Sequence, residues 1–201
     1  MEKYKEILEK IGWNKDNTCE RYEFGIYEID KREIFITTKH SYGFLNNKPL
    51  LPGHILLATL KKKKKYSDLD IEEIIDINLL SNFMCYIIGK LYNAENFSIA
   101  IQDGKDAGQT VEHVHIHIIP RKYSDYGNND NIYKDLNKLN VGYGRNIKCD
   151  SCNNLINVQA QLPPEETFKL EEFDTAIRTM EEMEVEASLI KAYIEDNFSS
   201  S

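Results

Sequence analysis

The sequence predicts an α+β fold in which an antiparallel sheet of about five strands packs against one long helix, with a further helix near the C-terminus. Short apolar runs separated by turn residues fill residues 22–60 and 97–120. This close spacing is typical of antiparallel strands. Between these regions, apolar residues recur every three or four positions over residues 71–91. That period indicates a helix with one buried face.

The predicted elements can be placed in order along the chain. Residues 2–11 form a short amphipathic helix. Asp70-Ile71-Glu72-Glu73 has the form of a capping box and marks the start of the long helix. Strands are expected over residues 22–29, 33–38, 42–46, 54–60, 97–103 and 112–120.

Composition divides the chain into four predicted parts. An N-terminal helical extension covers 1–20, and the main domain covers 21–136. A flexible insertion follows over 137–164, where Asn, Asp, Gly and Ser are frequent. The last part, 165–201, is predicted to be an acidic amphipathic helix.

Charge and cysteine content limit the classes of function. The formal net charge of −8 argues against a nucleic-acid-binding protein. Four cysteines and the absence of a signal-peptide pattern favour a reducing compartment. No apolar run approaches the roughly 18 residues of a membrane span, so we expect no membrane partner. The expected location is the cytoplasm, with the nucleus left open.

Three of the five histidines lie in one short run, Glu112 to Pro120. Side chains alternate between the two faces of a strand, so His113, His115 and His117 are predicted to share one face. The apolar residues between them are then expected to face the core. Three titratable rings on one side of a strand are an unusual use of strand positions, which favour β-branched and aromatic residues.

A metal site is one interpretation of the three histidines. Same-face neighbours on a strand lie about 6.6–6.8 Å apart, so the outer two are about 13 Å apart. Two adjacent rings could share an ion with bonds of about 2.0–2.1 Å, but three on one straight strand cannot converge on it. We therefore expect no metal site here. Ordinary half-buried strand histidines are the second interpretation. A linear array fits a linear substrate better, such as a chain of phosphates.

A glycine-containing loop precedes the histidines. Residues 102–111 carry two glycines and several hydrogen-bonding side chains between two predicted strands. The backbone N–H groups of such a loop can approach an anion closely. On its own this loop would be a plain hairpin connection, but it leads directly into the histidine run and is predicted to form part of the same site.

The run from Gln102 to Arg121, containing G-Q-T-V and H-V-H-I-H-I-I-P-R, resembles the histidine triad superfamily. Within that superfamily, it is similar to the fragile histidine triad branch, the dinucleoside triphosphate hydrolases. The resemblance extends to Phe24-Gly25, to residues 41–49 and to Leu51-Pro52-Gly53-His54. It implies the histidine triad fold and a homodimer in which two sheets join.

Chemistry and the resemblance both assign a role to His115. Neutral imidazole is a suitable nucleophile for a phosphoanhydride, provided that one ring nitrogen is held as N–H and the other presents its lone pair. The central ring is the natural candidate for this position. The resemblance implies that it becomes covalently nucleotidylated on the α-phosphorus before water releases the nucleotide.

The resemblance also implies roles for the surrounding residues. His117 would bind the α-phosphate oxygens, while His113 and His54 would orient the array. Asn46 would contact the ribose, and Phe24, Phe44 and Leu45 would form the base pocket. The phosphates and the leaving group would be bound by Gln102, Gly108, Gln109, Thr110 and Val111. Tyr27 stands where animal members of the branch have a histidine that contacts the nucleotide, so recognition there is expected to differ.

The predicted activity is therefore hydrolysis of diadenosine triphosphate to AMP and ADP, of the bis(5'-adenosyl)-triphosphatase type. Three alternatives are left open: a phosphoramidate hydrolase or nucleotidyl transferase of a sister branch, a nucleotide sensor, and a metal-dependent hydrolase. No tightly bound cofactor is expected, although a Mg or Mn ion is a candidate to accompany the polyphosphate. Cys149 and Cys152 form a single C-x-x-C, which is weak evidence for zinc.

Lysines occupy all five positions from Lys61 to Lys65. Such a run is most often a solvated loop. A localisation signal or nucleic-acid patch is a second interpretation. A third is that these lysines offset the negative charge of an anionic ligand, which depends on where the run lies in the fold.

Overall fold

The computed structural model describes residues 1–138, apart from residues 17, 20 and 124, together with residues 177–199. The helices are α1 (Glu2–Lys10), α2 (Ile71–Tyr92), α3 (Asn131–Lys138) and α4 (Met180–Phe198). The strands are β1 (Tyr22–Phe24), β2 (Tyr27–Ile29), β3 (Ile34–Thr37), β4 (Ser41–Leu45), β5 (Ile55–Thr59), β6 (Asn96–Ala100) and β7 (His115–Arg121). Cys149, Cys152 and the predicted insertion lie outside the described residues.

A five-stranded sheet forms the centre of the molecule, in the order β3-β4-β5-β7-β6. All neighbouring strands in it are antiparallel. The first three strands follow one another as a meander, and β7 then lies between β5 and β6. The predicted α+β architecture, with an antiparallel sheet and one long helix, is confirmed.

The strand predicted over residues 22–29 is wrong as a single element. The chain turns at Gly25, whose φ is +65°, and β1 and β2 pair as a separate two-stranded sheet. Glycine adopts positive φ without steric cost, so this position favours a turn over an extended strand. The hairpin packs its buried residues against the face of the central sheet that carries the histidines.

The other face of the central sheet is covered by helices α1, α2 and α4. Their apolar residues form one core with inward-facing residues of β5 and β7, including Leu57, Ile116 and Ile118. The apolar residues between the histidines were predicted to face the core, and this prediction is confirmed for Ile116 and Ile118. Of the described helices, α2 is long and apolar enough to cross a membrane by length and composition alone. Its burial in this core accounts for that apolar character.

The C-terminal helix begins later than predicted. Its first residue is Met180, and Thr179 caps it by accepting a hydrogen bond from the Glu182 backbone N–H at 3.2 Å. A capping side chain of this kind satisfies a backbone donor that has no partner inside the helix. Ile177, predicted to lie on the buried face, precedes the helix and is exposed. Residues 165–176 of the predicted helix lie outside the described part of the chain.

Candidate active site

The histidine run is divided between a bend and a strand. Strand β7 begins at His115, whereas His113 lies in the bend before it. The His113 backbone N–H donates to the Val111 carbonyl at 2.7 Å, which closes a tight turn. The prediction of three histidines on one continuous strand is therefore corrected to two. His113 still reaches the same side, because its ring lies 5.8 Å from that of Phe24, which also contacts His115.

His115 is held in one tautomer by the backbone. Its Nδ1 lies 2.7 Å from the His113 carbonyl oxygen, which can only accept a hydrogen bond. The ring proton therefore sits on Nδ1, and Nε2 carries the lone pair. Nε2 has no hydrogen-bond partner among the described residues. The arrangement required of a histidine nucleophile is present at the predicted central position.

His54 and His117 form a second, linked pair. The Leu50 backbone N–H donates to His54 Nδ1 at 3.1 Å, so the His54 proton sits on Nε2. That nitrogen lies 3.0 Å from His117 Nδ1, which then accepts and leaves the His117 proton on Nε2. His117 Nε2 is buried and has no partner within the described residues. It is therefore a donor with an unused hydrogen bond, 5.0 Å ring to ring from the nucleophile candidate.

His113 is fixed by contacts that the sequence did not indicate. Its Nδ1 accepts from the Gly25 backbone N–H at 3.2 Å, and its Nε2 donates to the Thr59 carbonyl at 2.8 Å. The ring is fully buried between the β1–β2 turn and the end of β5. Thr59 was not predicted as a site residue. The one available signal was a hydroxyl residue at the end of an otherwise apolar strand.

All four rings have lowered pKa values, chiefly because burial disfavours the charged form. Burial lowers the pKa of His54 to about 3, with smaller effects of the charges of Arg178 and His115. It lowers the pKa of His113 to about 4, and it also lowers that of His115. For His117, burial and then the neighbouring rings hold the pKa well below the ordinary value. The four imidazoles are therefore neutral at physiological pH.

The glycine loop is closed mainly by its own backbone. The N–H groups of Ala107 and Gln109 donate to the Gly104 carbonyl, and that of Gly108 donates to Lys105, each at 3.0 Å. Gln109 also ties the loop to the site: its Oε1 accepts from the Gly104 N–H at 2.9 Å, and its Nε2 lies 3.4 Å from the His113 carbonyl. Several amides predicted to face an anion are therefore already bonded inside the loop.

The remaining predicted site residues fall into two groups. Phe24 and Phe44 lie edge to face at 5.2 Å on the histidine side, with Tyr27 half-buried beside them. Leu45 is not brought together with them, because neighbouring residues on β4 point to opposite faces. It lies in the helix-side core instead. Asn46 is fully buried beside His54, with its Nδ2 donor 3.5 Å from the accepting His54 Nδ1. Gln102 and Val111 are buried, and Thr110 is exposed.

Arg178 and Glu186, near the C-terminal end of the chain, stabilise the loop that carries His54. The Arg178 backbone N–H donates to the Asn47 carbonyl at 2.9 Å, and its guanidinium pairs with Glu186. Glu186 also accepts a hydrogen bond from Tyr92, whose ring packs against Gly53 beside His54. No local sequence signal indicated this network, because its members are separated by many residues.

Metal-ligating side chains form no site within residues 1–138, leaving out 17, 20 and 124, or within residues 177–199. No group of three or more His, Cys, Asp or Glu side chains in this part of the chain has the geometry to hold an ion. The histidine rings are instead occupied by hydrogen bonds to one another and to the backbone. The site therefore presents the nitrogen lone pair of His115 beside the N–H donor of His117.

Gly25 offers a direct test of this arrangement. We expect Gly25→Ala to lower kcat by about tenfold or more, because a 1 Å displacement of a site group can cost about 100-fold. Two effects act together: φ of +65° is costly for alanine, and its Cβ would collide with Val111. Steady-state rates are the measurement. Gly127→Ala is the control, since its φ is also positive but the space around it is open. Equal rates in both variants would contradict the expectation.

The chain is similar in sequence to a known domain family and to several known proteins. A sequence model of the HIT domain matches residues 28–124. The chain is 42% identical over 136 residues to an Arabidopsis thaliana protein named bifunctional bis(5'-adenosyl)-triphosphatase/adenylylsulfatase FHIT, which covers 67% of this chain and 76% of the relative. It is 37% identical over 166 residues to a Schizosaccharomyces pombe protein named bis(5'-nucleosyl)-tetraphosphatase (asymmetrical), which covers 82% of this chain and 90% of the relative.

The similarity extends to solved structures. The crystal structure of Plasmodium falciparum diadenosine triphosphate hydrolase in complex with cyclomarin A matches with a TM-score of 0.72 and 56% sequence identity. That match covers 98% of this chain and 99% of the other.

Proposed function

The chain belongs to the HIT domain family, in its FHIT branch, and from this premise we propose that it hydrolyses diadenosine triphosphate to AMP and ADP. One observation carries the proposal. His115 has its Nδ1 proton held by the His113 carbonyl at 2.7 Å and its Nε2 lone pair free, beside the unused Nε2–H of His117. The pair supplies a nucleophile and a donor to one phosphate group.

The reaction proceeds in two steps. In the first, His115 Nε2 forms a bond to the α-phosphorus while the bond from that phosphorus to the bridging oxygen breaks, which releases ADP. The ring becomes positively charged, and the His113 carbonyl stabilises that charge through the Nδ1–H. In the second step, the oxygen of water forms a bond to the phosphorus while the N–P bond breaks and its electron pair returns to Nε2; AMP and one proton from the water are released to solvent, and His115 is neutral again. Two such steps replace one that is harder.

His117 supports both steps by binding the phosphate oxygens. Its free Nε2–H is aimed by the hydrogen bond from His54, so the donor is oriented before substrate arrives. Hydrogen-bond donors that are already oriented in a water-excluded site stabilise the transition state more than mobile donors do, because they need no reorganisation during the reaction. His115 is only 2% exposed, which limits contact of the covalent intermediate with bulk water.

The covalent intermediate is the point at which this function can be tested. Protein mixed briefly with diadenosine triphosphate and quenched in milliseconds is expected to carry one AMP, located on His115 by mass spectrometry of its peptides. His115→Asn protein treated in the same way should carry none. Product release at the normal rate with no adduct at any quench time would overturn the covalent route.

Cofactor, assembly and location are proposed on the same premise. A Mg or Mn ion enters with the polyphosphate, bound by phosphate oxygens, and no cofactor is tightly held. The protein acts as a homodimer in the cytoplasm, with the nucleus as a second compartment. Edge strand β6 supports the dimer, since Ile99 on it is 55% exposed and an unpaired sheet edge favours pairing. Light scattering of purified protein would measure the mass of the assembly.

A further inference from the structure

The five lysines Lys61–Lys65, called the lysine segment below, lie beside the active site. The Val114 backbone N–H donates to the Lys63 carbonyl at 2.7 Å, immediately before the catalytic strand. Gln109 Nε2 donates to the Lys64 carbonyl at 3.0 Å. The segment therefore runs along both the glycine loop and the start of β7, and it is not a remote surface loop.

The backbone of this segment is linked to the nucleophile through two groups. Gln109 Nε2, which contacts Lys64, also lies 3.4 Å from the His113 carbonyl. That carbonyl accepts the 2.7 Å hydrogen bond from His115 Nδ1. A polyphosphate whose α-phosphorus meets His115 carries further phosphates beyond it, and the lysine segment is connected to that position by the hydrogen bonds of Gln109 and the His113 carbonyl.

Three of the five lysines are engaged in ion pairs. Lys61 pairs with Asp70 at 3.8 Å, Lys63 pairs with Asp70 at 3.3 Å and with Glu73 at 3.7 Å, and Lys64 pairs with Glu112 at 2.7 Å. These pairs anchor the segment to the start of α2 and to the histidine run. Their charges are largely balanced, so they add little field for a ligand.

The other two lysines have no ion pair among the described residues. Lys62 and Lys65 are both exposed. The Lys65 ammonium lies so close to Gly104 that a Cβ there would overlap it. The positive charges of Lys62 and Lys65 both contribute to the lowered pKa of Glu112, and that of Lys62 contributes to the lowered pKa of His113, so both charges act on the histidine run.

The glycine loop itself offers few donors at this end. The N–H groups of Gly104, Ala107, Gly108 and Gln109 are all bonded within the loop. Positive charge for phosphates beyond the first therefore comes from side chains. Lys62 and Lys65 are the two cations of the lysine segment that are free to supply it.

We propose that Lys62 and Lys65 form a subsite for the distal phosphates of dinucleoside polyphosphates, so that affinity increases with the number of phosphates from three to five. The proposal rests on the proposed function above. Each additional phosphate adds one negative charge, and an exposed charge pair contributes a few-fold in affinity that falls as salt rises. The subsite thus acts on binding and is expected to appear in KM.

The test compares diadenosine substrates with three, four and five phosphates. The double variant Lys62→Gln/Lys65→Gln is expected to raise KM about threefold for three phosphates and about tenfold for five, at about 0.05 M salt. At about 0.5 M salt the difference between variant and native protein should shrink to about twofold or less. Lys62→Arg/Lys65→Arg keeps both positive charges, so its KM should depend on the number of phosphates as in the native protein.

The matched control is Lys5→Gln/Lys10→Gln, which removes the same charge from α1 on the opposite side of the sheet. For this control, KM should change with the number of phosphates in the substrate in the same way as it does for the native protein. A uniform rise in KM for all three substrates, or an equal rise in the control, would overturn the subsite. Failure of the proposed function gives a different result, because native protein would then turn over none of the three substrates.

Discussion

Replacing His115 with asparagine is expected to lower the turnover of diadenosine triphosphate by about four to six orders of magnitude, the scale seen when the nucleophile of a covalent enzyme is removed. Asparagine is similar in size and polarity to the imidazole but has no lone pair suited to attack on phosphorus. His117, His54 and the aromatic side chains keep their contacts in this variant. Substrate binding should therefore persist within about tenfold, measured by calorimetry, while rapid-quench kinetics measures the loss of chemistry.

His40→Asn is the matched control for this substitution. His40 is the one histidine outside the buried cluster, in the turn between β3 and β4. His40 is half-buried and makes no contact with the four clustered rings, so its replacement should leave turnover within about twofold. Turnover by His115→Asn within about tenfold of the native protein would show that another group attacks the phosphorus.

The His115→Asn variant also distinguishes the alternative of a nucleotide sensor. A sensor would keep its biological effect in the His115→Asn protein, because the ligand-bound complex is its output and binding persists. An enzyme loses its effect together with turnover. Complementation of a cell lacking the activity would measure which of these holds.

Lowering the pH from 7 to 5 is expected to destabilise the fold steeply. The four buried histidines bind protons in the unfolded chain at about pH 6.5, but only at lower pH in the folded one. Their lowered pKa values therefore contribute stability that is fully present above pH 6.5 and is lost as pH falls below it. Each proton contributes about 1.4 kcal/mol per pH unit, so His54 and His113, with folded pKa values of about 3 and about 4, together contribute about 3 kcal/mol per unit near pH 5.

Urea unfolding at successive pH values would measure this slope. Typical domains are stable by about 5–15 kcal/mol, so we expect acid unfolding at about pH 4 or below. His115→Asn removes one ring whose pKa is lowered by burial and should therefore reduce the slope. Asp76 acts in the opposite direction, because burial raises the pKa of its carboxyl. A free energy of unfolding that is constant from pH 7 to 5 would contradict the neutral, buried cluster.

Local periodicity was sufficient for the architecture. The period of two in residues 115–119 and the period of three to four in α2 each follow from backbone geometry, so they predicted the strand, its two faces and the packed helix. The same reasoning missed the turn at Gly25. A two-residue turn inside a polar and aromatic run does not interrupt the hydrophobic pattern enough to be detected.

The residue types of the site were also evident from the sequence, but their arrangement was not. Leu45 was predicted to join Phe44 in the base pocket, although adjacent strand residues face opposite sides. The lysine segment was visible as a run of charge, yet its position beside Gln109 was not. Both depend on which strands lie next to one another.

The sequence by itself determined the fold class, the helical and strand periods and the identity of the central histidine, because each is encoded by neighbours in the chain. Only the tertiary structure decided which ring nitrogen of each histidine carries the proton. Those tautomers depend on partners far apart in sequence, such as His54 with His117 and Gly25 with His113. Folding brings these groups to hydrogen-bond distance, and that distance gives one nitrogen its lone pair and another its proton.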